Sequence, residues 1–233
     1  MTMIEIKDLH KFYGEGDARV EVLKGLTCEI GKGEICVLLG PSGSGKSTML
    51  NAVGGIESID IGDILVGGDS LKNLTSTELS LYRRDSLGFV FQFYNLVPNL
   101  TVKENIEVGA YLSKRPLPLD ELLRTLGLWE HKNKLPNQLS GGQQQRCSIG
   151  RALVKNPKVL LCDEPTGALD YKTSKEILGL IESVNGQYGT TVILVTHNEA
   201  ISGIAHRVMK LHDGLITENR CNKNRIQAHD LTW

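Results

Sequence analysis

The chain has 233 residues, 40% of them hydrophobic and 23% charged, which is typical of a globular protein large enough for one α/β domain with a smaller inserted lobe. Lysine and arginine total 26 against 27 for aspartate and glutamate, so the basic excess typical of nucleic-acid binding is missing and no nucleic-acid partner is expected. The five cysteines are dispersed without paired spacing, which favours reduced structural thiols over a disulfide or metal role.

The residue order predicts neither a membrane span nor a signal peptide. No apolar run reaches the roughly 18 to 20 residues that cross a bilayer. Residues 1–10 alternate polar and apolar side chains and lack the apolar core of a signal peptide. We therefore expect a chain that stays in the cytosol.

The hydrophobic pattern in the first half of the chain predicts an α/β protein. Alternating hydrophobicity predicts strands at residues 3–9 and 20–30. The run 34–39 is apolar after its first residue and ends at a glycine, which predicts a buried parallel strand. A helix is expected to begin near Gly45, and Leu87–Phe91 predicts another short strand.

The pattern changes between residues 92 and 156, where helical spacing replaces strand spacing. This stretch predicts a helical lobe inserted into the α/β core, with helices at residues 102–112, 119–126 and 143–154.

Strand patterns return after the helical stretch. They lie at residues 159–162 and 191–195, and each is followed by a helical segment. Asp213-Gly214 predicts the turn of a terminal hairpin. The polar residues 221–233 are expected to form a loosely held tail.

A glycine-rich segment follows the predicted strand at 34–39. It contains the P-loop pattern Gly-x-x-x-x-Gly-Lys-Ser between a strand and a helix. Its glycines let backbone N–H groups converge on phosphate oxygens, and the helix amino terminus favours negative charge. Lys46 is expected to reach the β- and γ-phosphates, and the Ser47 hydroxyl to bind Mg²⁺. The candidate phosphate-binding residues are Gly40, Pro41, Ser42, Gly43, Ser44, Gly45, Lys46, Ser47 and Thr48.

Polar side chains follow three of the predicted strands. An apolar strand ends in adjacent carboxylates, and we expect Asp163 to hold the Mg²⁺ shell and Glu164 to orient and deprotonate the attacking water. His197 follows another strand, at the edge where α/β sheets bind their ligands. Gln92 follows a third and is placed to reach Mg²⁺ or water. By itself, the position of His197 or Gln92 in the sequence fits a structural role as well as a functional one.

A second glycine-rich segment, Leu139-Ser140-Gly141-Gly142-Gln143, opens a predicted helix about a hundred residues after the P-loop. With both segments present, residues 1–220 resemble the ATP-binding subunit of ATP-binding-cassette (ABC) transporters. The resemblance implies an α/β fold: a P-loop NTPase (RecA-like) core with an antiparallel β subdomain and an inserted α-helical subdomain. It divides the chain into a core at residues 1–92 and 157–220, a helical subdomain at 93–156 and a polar tail at 221–233.

The resemblance also assigns roles to single residues. Tyr13 matches the aromatic residue that stacks on adenine, although Phe12 beside it is an alternative. Gln92 matches the Q-loop glutamine, and His197 matches the switch histidine that contacts the γ-phosphate. Asp170 closes the D-loop, and the signature motif supplies the remaining nucleotide contacts, Ser140, Gly141, Gly142 and Gln143.

Within the family, the chain is most similar to the cassettes of macrolide exporters and lipoprotein-release systems. The shared phrases lie at residues 40–51, 88–96, 137–146 and 164–170. Two features depart from this group. Tyr171 stands where these relatives more often have a small residue, and the span 109–137 is shorter than usual. Because that span meets the membrane partner, partner and cargo are the least defined expectations.

The resemblance implies a head-to-tail dimer of two copies, with ATP and Mg²⁺ held between the P-loop of one and the signature of the other. A long coiled-coil insertion, as in chromosome-maintenance ATPases, does not fit between the two segments, and a kinase or GTPase does not need the signature. We expect ATP hydrolysis to drive integral membrane permease subunits at the cytoplasmic face of the membrane, exporting or extracting a hydrophobic or peptide-like substrate. The alternative is ATP-driven mechanical signalling in a cell-division or peptide-sensing complex.

Overall fold

The computed structural model describes residues 1–233. Its strands, in chain order, are β1 (Thr2–Tyr13), β2 (Val20–Gly31), β3 (Ile35–Leu39), β4 (Ile61–Val66), β5 (Asp69–Ser70), β6 (Leu87–Phe91), β7 (Val159–Asp163), β8 (Thr191–Thr196), β9 (Arg207–His212) and β10 (Leu215–Cys221). Its helices are α1 (Lys46–Val53), α2 (Ser76–Ser86), α3 (Val102–Tyr111), α4 (Leu119–Thr125), α5 (Gly141–Leu153) and α6 (Tyr171–Tyr188). Short 3-10 turns lie at Gly16–Ala18, Trp129–His131, Pro136–Gln138, Glu199–Ile204 and Ala228–Asp230.

The strands form two sheets. A six-stranded sheet has the order β10-β9-β3-β8-β7-β6, and all of its neighbouring pairs are parallel except the β9–β10 hairpin. A four-stranded antiparallel sheet has the order β2-β1-β4-β5. Because parallel strands in one sheet end at the same edge, the segments after β3, β6, β7 and β8 come together there.

The six-stranded sheet separates two apolar cores. All five residues of β3 are buried, as expected for a parallel strand covered on both faces. Its side chains alternate, so that Ile35, Val37 and Leu39 pack with the side of α3, α5 and α6, while Cys36 and Leu38 pack with α1 and the antiparallel sheet. The alternating side chains of β3 therefore contribute to the cores on both faces of the sheet.

The first predicted strand is too short. It was expected to end at Leu9, but β1 continues to Tyr13. The pairing with β2 and β4 shifts register around Asp8, whose φ is 47°. Gly62 of β4 faces this bulge, and a Cβ there would lie 2.2 Å from Asp8 O. A bulge interrupts the period-2 pattern by one residue, which explains why the alternation stops before the strand does.

Between α1 and β6 the structure contains β4, β5 and α2, which the sequence analysis missed. The helix α2 carries few apolar residues and buries none of them, so it lacks a hydrophobic stripe. Its start nevertheless has a local signature. Thr75 Oγ1 accepts a hydrogen bond from Glu78 N, and the Glu78 carboxylate accepts one from Thr75 N, which together form a capping box.

The prediction that residues 221–233 form a loosely held tail is wrong. Ala228 and Leu231 are each 1% exposed and belong to the larger apolar core. The segment lies against α6, where Ala228 N donates to Glu182 Oε2 at 2.7 Å. The polar composition of this segment does not predict the packing, because only these two of its residues are buried.

None of the helices is both long and apolar enough to cross a bilayer. Four cysteines, Cys28, Cys36, Cys147 and Cys162, are buried as free thiols, and burial raises the pKa of each. They behave as small hydrophobic residues of the two cores.

Candidate functional site

The P-loop joins β3 to α1 by a backbone path that requires glycine. A Cβ on Gly40 would lie 2.2 Å from Leu211 O, and one on Gly45, whose φ is 100°, would lie 2.8 Å from Leu23 Cδ2. Gly45 is also the N-cap of α1 and provides no side chain to bond the first N–H groups. The helix amino terminus is therefore available to an anion, as a phosphate cradle requires.

Lys46 is the first residue of α1 and is folded back over the loop. Its Nζ donates to Gly40 O and to Pro41 O, both at 2.8 Å. Burial lowers the pKa of Lys46, while the neighbouring carboxylates of Glu164 and Asp163 act in the opposite direction. A cation held among carbonyls and carboxylates at a helix start is suited to contact phosphate.

The end of β7 presents two carboxylates in different environments. Asp163 is the last strand residue, and its Oδ1 accepts from Ser47 Oγ at 3.4 Å. Burial raises the pKa of Asp163. Glu164 follows with φ of 47°, and its N–H donates to Val195 O. This turn sends the Glu164 side chain toward His197, whose Nδ1 lies 2.8 Å from Glu164 Oε1.

A cavity of about 620 Å³ brings the predicted residues together. It opens at the carboxyl edge of the six-stranded sheet, and its lining joins the P-loop to the ends of β1, β6, β7 and β8. The predicted residues that line it are Tyr13, Ser42, Gly43, Gly45, Lys46, Ser47, Thr48, Gln92, Asp163, Glu164 and His197. A larger cavity of about 970 Å³ lies between α6 and residues 225–229 and contains none of the predicted site residues.

Three predicted residues of the P-loop do not line this cavity. Gly40 and Pro41 instead offer their carbonyls to Lys46, and Ser44 is buried beneath the loop. Two apolar residues that the sequence analysis missed, Val22 and Val195, form part of the wall. The only sequence signal for their place in the wall is that Val22 lies in a predicted strand and Val195 lies at the end of another, close to His197.

The signature residues lie outside the cavity. Ser140 is the N-cap of α5: its Oγ accepts from Gln143 N, and Gln143 Oε1 accepts from Ser140 N at 3.0 Å. A Cβ on Gly141 would lie 2.8 Å from Tyr94 Oη, and one on Gly142 would lie 2.5 Å from Thr173 Cγ2. The glycines therefore let the start of α5 pack closely between the segment after β6 and α6.

Asp170 also lies outside the cavity, as the N-cap of α6. Its carboxylate accepts from Thr173 Oγ1 at 2.6 Å and from Thr173 N at 3.0 Å. Both hydrogen bonds lower the pKa of Asp170, and the one from the Thr173 hydroxyl has the larger effect. Within one chain its visible function is to begin the helix.

Gln145, which the sequence did not single out, is a buried residue that contacts segments next to the site. Its Nε2 donates to Pro165 O at 2.8 Å and to Phe91 O at 3.4 Å. It thus connects α5 both to the segment before Gln92 and to the turn after Glu164. The only signal in the sequence is its place in the run of three glutamines that follows the signature glycines.

The fold and the cavity define a P-loop nucleotide-binding protein with two carboxylates beside the cradle. The profile of the family described as ABC transporter matches residues 23–167. The chain is 42% identical over 234 residues to the MG065 homolog of Mycoplasma pneumoniae, covering 99% of this chain and 50% of that protein.

Two further relatives carry names that describe transport systems. The lipoprotein-releasing system ATP-binding protein LolD of Geobacter metallireducens is 42% identical over 220 residues, 92% of this chain and 98% of LolD. The macrolide export ATP-binding/permease protein MacB of Marinobacter nauticus is 42% identical over 222 residues, 93% of this chain and 34% of MacB. The chain spans about half the length of the first curated relatives it matches.

Among solved structures, a dimer of the ATP-binding cassette MJ0796 in a post-hydrolysis state, bound to ADP and Pi, superposes with a TM-score of 0.85 at 38% identity. The match covers 94% of this chain and 98% of that one. This chain therefore belongs to the ABC transporter family and is an ABC ATPase domain. The expected fold class and the resemblance to macrolide-export and lipoprotein-release cassettes are confirmed.

Proposed function

We propose that this chain binds and hydrolyses ATP as a head-to-tail dimer and thereby powers a membrane transporter. One observation carries the proposal. The P-loop, both carboxylates, Gln92 and His197 line one cavity, while the signature residues of the same chain lie elsewhere. A nucleotide in that cavity would be enclosed on one side only, and a second copy would supply the missing side.

The hydrolytic roles follow from the contacts at the end of β7. Glu164 is the proposed general base, because its carboxylate lies beside the phosphate cradle and can accept a proton from the attacking water. Its hydrogen bond with His197 Nδ1 orients the imidazole, so that Nε2 is left to contact the γ-phosphate. Lys46 would exchange its carbonyl partners for the β- and γ-phosphate oxygens.

The donors beside the P-loop fit Mg²⁺. Ser47 Oγ and Asp163 Oδ1 are 3.4 Å apart, and Gln92 lines the same cavity. These are hard oxygen ligands, and Mg²⁺ commonly combines one or two protein carboxylates with phosphate oxygens and water. When bound there, the ion neutralises charge that develops on the transferred phosphate. We propose Ser47, Asp163 and Gln92 as the residues that hold it.

Tyr13 is the proposed adenine-stacking residue, and the surroundings of Phe12 support this choice. Tyr13 is 40% exposed and lines the nucleotide cavity. Phe12 is instead stacked on His10, with the rings nearly parallel, and lies under the guanidinium of Arg19 at 4.1 Å. Phe12 does not line the nucleotide cavity, and its ring already packs against these two side chains.

The signature completes the proposed site in the dimer. Ser140 and the N–H groups of Gly141 and Gly142 stand at the start of α5, where the helix dipole favours an anion. Asp170 and Gln143, which cap α6 and α5, are proposed to meet the nucleotide from the same side. Hydrolysis would divide the negative charge between two products and weaken the closed dimer.

A surface of the helical subdomain, proposed as residues 93–156, is suited to an integral membrane permease. It carries exposed apolar side chains at Phe93, Val97, Val108, Tyr111 and Leu112. If these side chains form one contiguous patch, a surface of this kind marks an interaction site. The assembled protein would lie at the cytoplasmic face of the membrane.

The loop that carries Phe93 is tied to the helices of the subdomain. Arg151 of α5 donates to Tyr94 O at 3.0 Å and to Asn95 O at 2.7 Å. Asn105 of α3 accepts from Val97 N at 2.8 Å and donates to Val97 O. Movement of Gln92 at the nucleotide would therefore be transmitted to the proposed permease surface.

Export or extraction of a hydrophobic or peptide-like substrate is the proposed purpose. The support comes from the relatives named for lipoprotein release and macrolide export, which cover more than nine-tenths of this chain. Mechanical signalling has no comparable support among them.

A dimerisation assay in the Glu164→Gln background tests the proposal. This variant should bind ATP, hydrolyse it at least about 10²-fold more slowly, and accumulate dimers with ATP and Mg²⁺, measured by phosphate release and light scattering. Adding Ser140→Asp should abolish the dimer and leave ATP binding by the monomer unchanged, because the new charge would face the partner's γ-phosphate.

Ser140→Asn is the matched control. Asp, Asn and Ser are about equally good N-caps, so both variants should keep the start of α5, and only the Asp variant adds a charge. The Asn variant should dimerise better than the Asp variant. Dimers that persist with Asp at this position would refute the trans arrangement, and near-normal turnover in Glu164→Gln would refute the role of Glu164.

A further inference from the structure

The C-terminal segment, defined as residues 221–233, is fastened to the turn Glu199–Ile204. Ile226 N donates to Gly203 O at 3.0 Å. The side chains of Ile226 and Leu231 pack onto the same glycine, at 3.0 and 3.1 Å from where its Cβ would lie. The turn that receives this segment begins only two residues after His197.

The same segment is fastened to the start and middle of α6. Tyr171, the first residue of that helix, donates from its hydroxyl to Leu231 O at 2.9 Å. The Trp233 ring meets the Tyr171 ring edge to face, with centroids 4.8 Å apart and an interplanar angle of 73°. Further along the helix, Glu182 accepts from Ala228 N. The segment thus bridges α6 and the 199–204 turn.

The bridge ends beside the hydrolytic side chains. Trp233 and Tyr171 line a cavity of about 370 Å³ that is also lined by Glu164, Gly167 and His197. This cavity adjoins the nucleotide cavity, since Glu164 and His197 line both. The aromatic pair itself is absent from the nucleotide cavity, so any effect it has on hydrolysis passes through its neighbours.

We infer that the C-terminal segment is a positioning element for hydrolysis, with Tyr171 and Trp233 as its positioning residues. By joining the 199–204 turn to the start of α6, it holds His197 and Asp170, which lie two residues and one residue before those elements, at a fixed separation. The bulky residue after the D-loop is thereby explained, because Tyr171 is the attachment point for Trp233. The inference rests on the proposed roles of Glu164 and His197.

Trp233→Ala in the 233-residue chain tests the inference. The variant should lower kcat about two- to tenfold, the range expected if loss of one aromatic pair is expressed fully in the barrier. Its KM and its affinity for a fluorescent ATP analogue should not change, because the segment does not line the nucleotide cavity. Trp233→Phe keeps a ring against Tyr171 and should restore kcat.

Tyr171→Phe removes only the hydroxyl that bonds Leu231 O and leaves the ring in place. It keeps the fold even if Trp233→Ala does not, and it should lower kcat without changing KM. The matched control is His229→Ala, which changes a side chain of the same segment that is 72% exposed and whose Nε2 lies 3.4 Å from the neighbouring Asp230 Oδ1. This control should hydrolyse ATP like the natural chain.

The inference is overturned if both Trp233→Ala and Tyr171→Phe keep normal kcat per folded molecule, or if kcat falls only in proportion to the folded fraction measured by circular dichroism. Glu164→Gln separates this result from failure of the proposed function. If that variant is inactive while both positioning variants are normal, only the inference fails. If it remains active, the hydrolytic assignment itself is wrong.

Discussion

Glu164 combines an unusual backbone with a specific side-chain contact. A φ of 47° is rare for a residue other than glycine, asparagine or aspartate, and costs about 1–3 kcal/mol. The conformation is held by the hydrogen bond from its N–H to Val195 O, and it lets the carboxylate reach His197. Asp163 next to it stays in regular strand geometry and faces Ser47. One sharp turn thus gives neighbouring carboxylates two different tasks.

At the same scale, Tyr13→Ala should weaken ATP binding about five- to 150-fold, since base–aromatic stacking contributes about 1–3 kcal/mol. The affinity is measured by isothermal titration calorimetry with ATP and Mg²⁺. Phe12→Ala is the control: it should lower thermal stability but change ATP affinity much less, because Phe12 packs against His10 and Arg19 and does not line the nucleotide cavity. The reverse pattern would identify Phe12 as the stacking residue.

Three helices begin with the same capping device, but only one of them is proposed to face a phosphate. In α2 and α3 the third helical residue that closes the capping box is a glutamate, Glu78 or Glu104. In α5 it is Gln143, which is neutral. A carboxylate there would add negative charge where the helix amino terminus is proposed to meet the γ-phosphate, whereas an amide completes the cap and keeps the dipole available.

Gly109 allows a close contact between α3 and the end of α5. A Cβ on Gly109 of α3 would lie 2.5 Å from Arg151 O and 2.7 Å from Val154 Cγ1. Gly109→Ala should therefore lower the free energy of unfolding by about 1–3 kcal/mol, as overpacking of a core does. Urea denaturation followed by circular dichroism measures this.

Gly186→Ala in α6 is the matched control for that prediction. A Cβ at Gly186 would meet no atom within 4 Å, and replacing an exposed helical glycine with alanine stabilises by up to about 1 kcal/mol. Equal unfolding free energies for the two alanine variants would mean that the close approach of α3 to α5 does not limit the packing of the helical subdomain.

At the scale of the whole molecule, α5 connects the nucleotide cavity to the proposed permease surface. It begins with the signature, holds Phe91 O and Pro165 O through Gln145, and holds the loop after Gln92 through Arg151. One helix therefore contacts both the segment that carries Gln92 and the turn that follows Glu164. Such an element can couple closure of a dimer to displacement of a bound partner.

If two copies bind each other, the thermal stability of the protein should depend on its concentration. For Glu164→Gln with Mg²⁺ and ATP at 100 times Kd, ligand binding alone should add about 2.7 kcal/mol and raise the Tm. The Tm should rise further as the protein is concentrated, because the dimer is favoured by mass action. Differential scanning fluorimetry over a range of protein concentrations measures both effects.

Lys46→Ala in the same background is the control for this experiment, since loss of the phosphate contact should remove both increments. A Tm that rises with ATP but is the same at every protein concentration would indicate that one chain binds the nucleotide by itself. That result would contradict the shared site.

The residue pattern alone determined the local chemistry. The P-loop, the paired carboxylates after β7 and the capped start of α5 are contiguous stretches, and their geometry follows from glycine conformations, helix termini and strand alternation over a few residues. The strands at 20–30, 34–39 and 87–91 and the hairpin at Asp213-Gly214 were predictable for the same reason, because each has a regular period or a turn residue.

Only the tertiary structure decided which distant residues meet. The cavity that joins Tyr13 to His197, the buried hydrogen bonds of Gln145, the bulge that lengthens β1 and the docking of residues 221–233 all depend on contacts between segments far apart in the chain. A polar segment such as the last one contains too few apolar side chains to predict burial. Its two inward-facing residues become visible only when α6 and the 199–204 turn are in place to receive them.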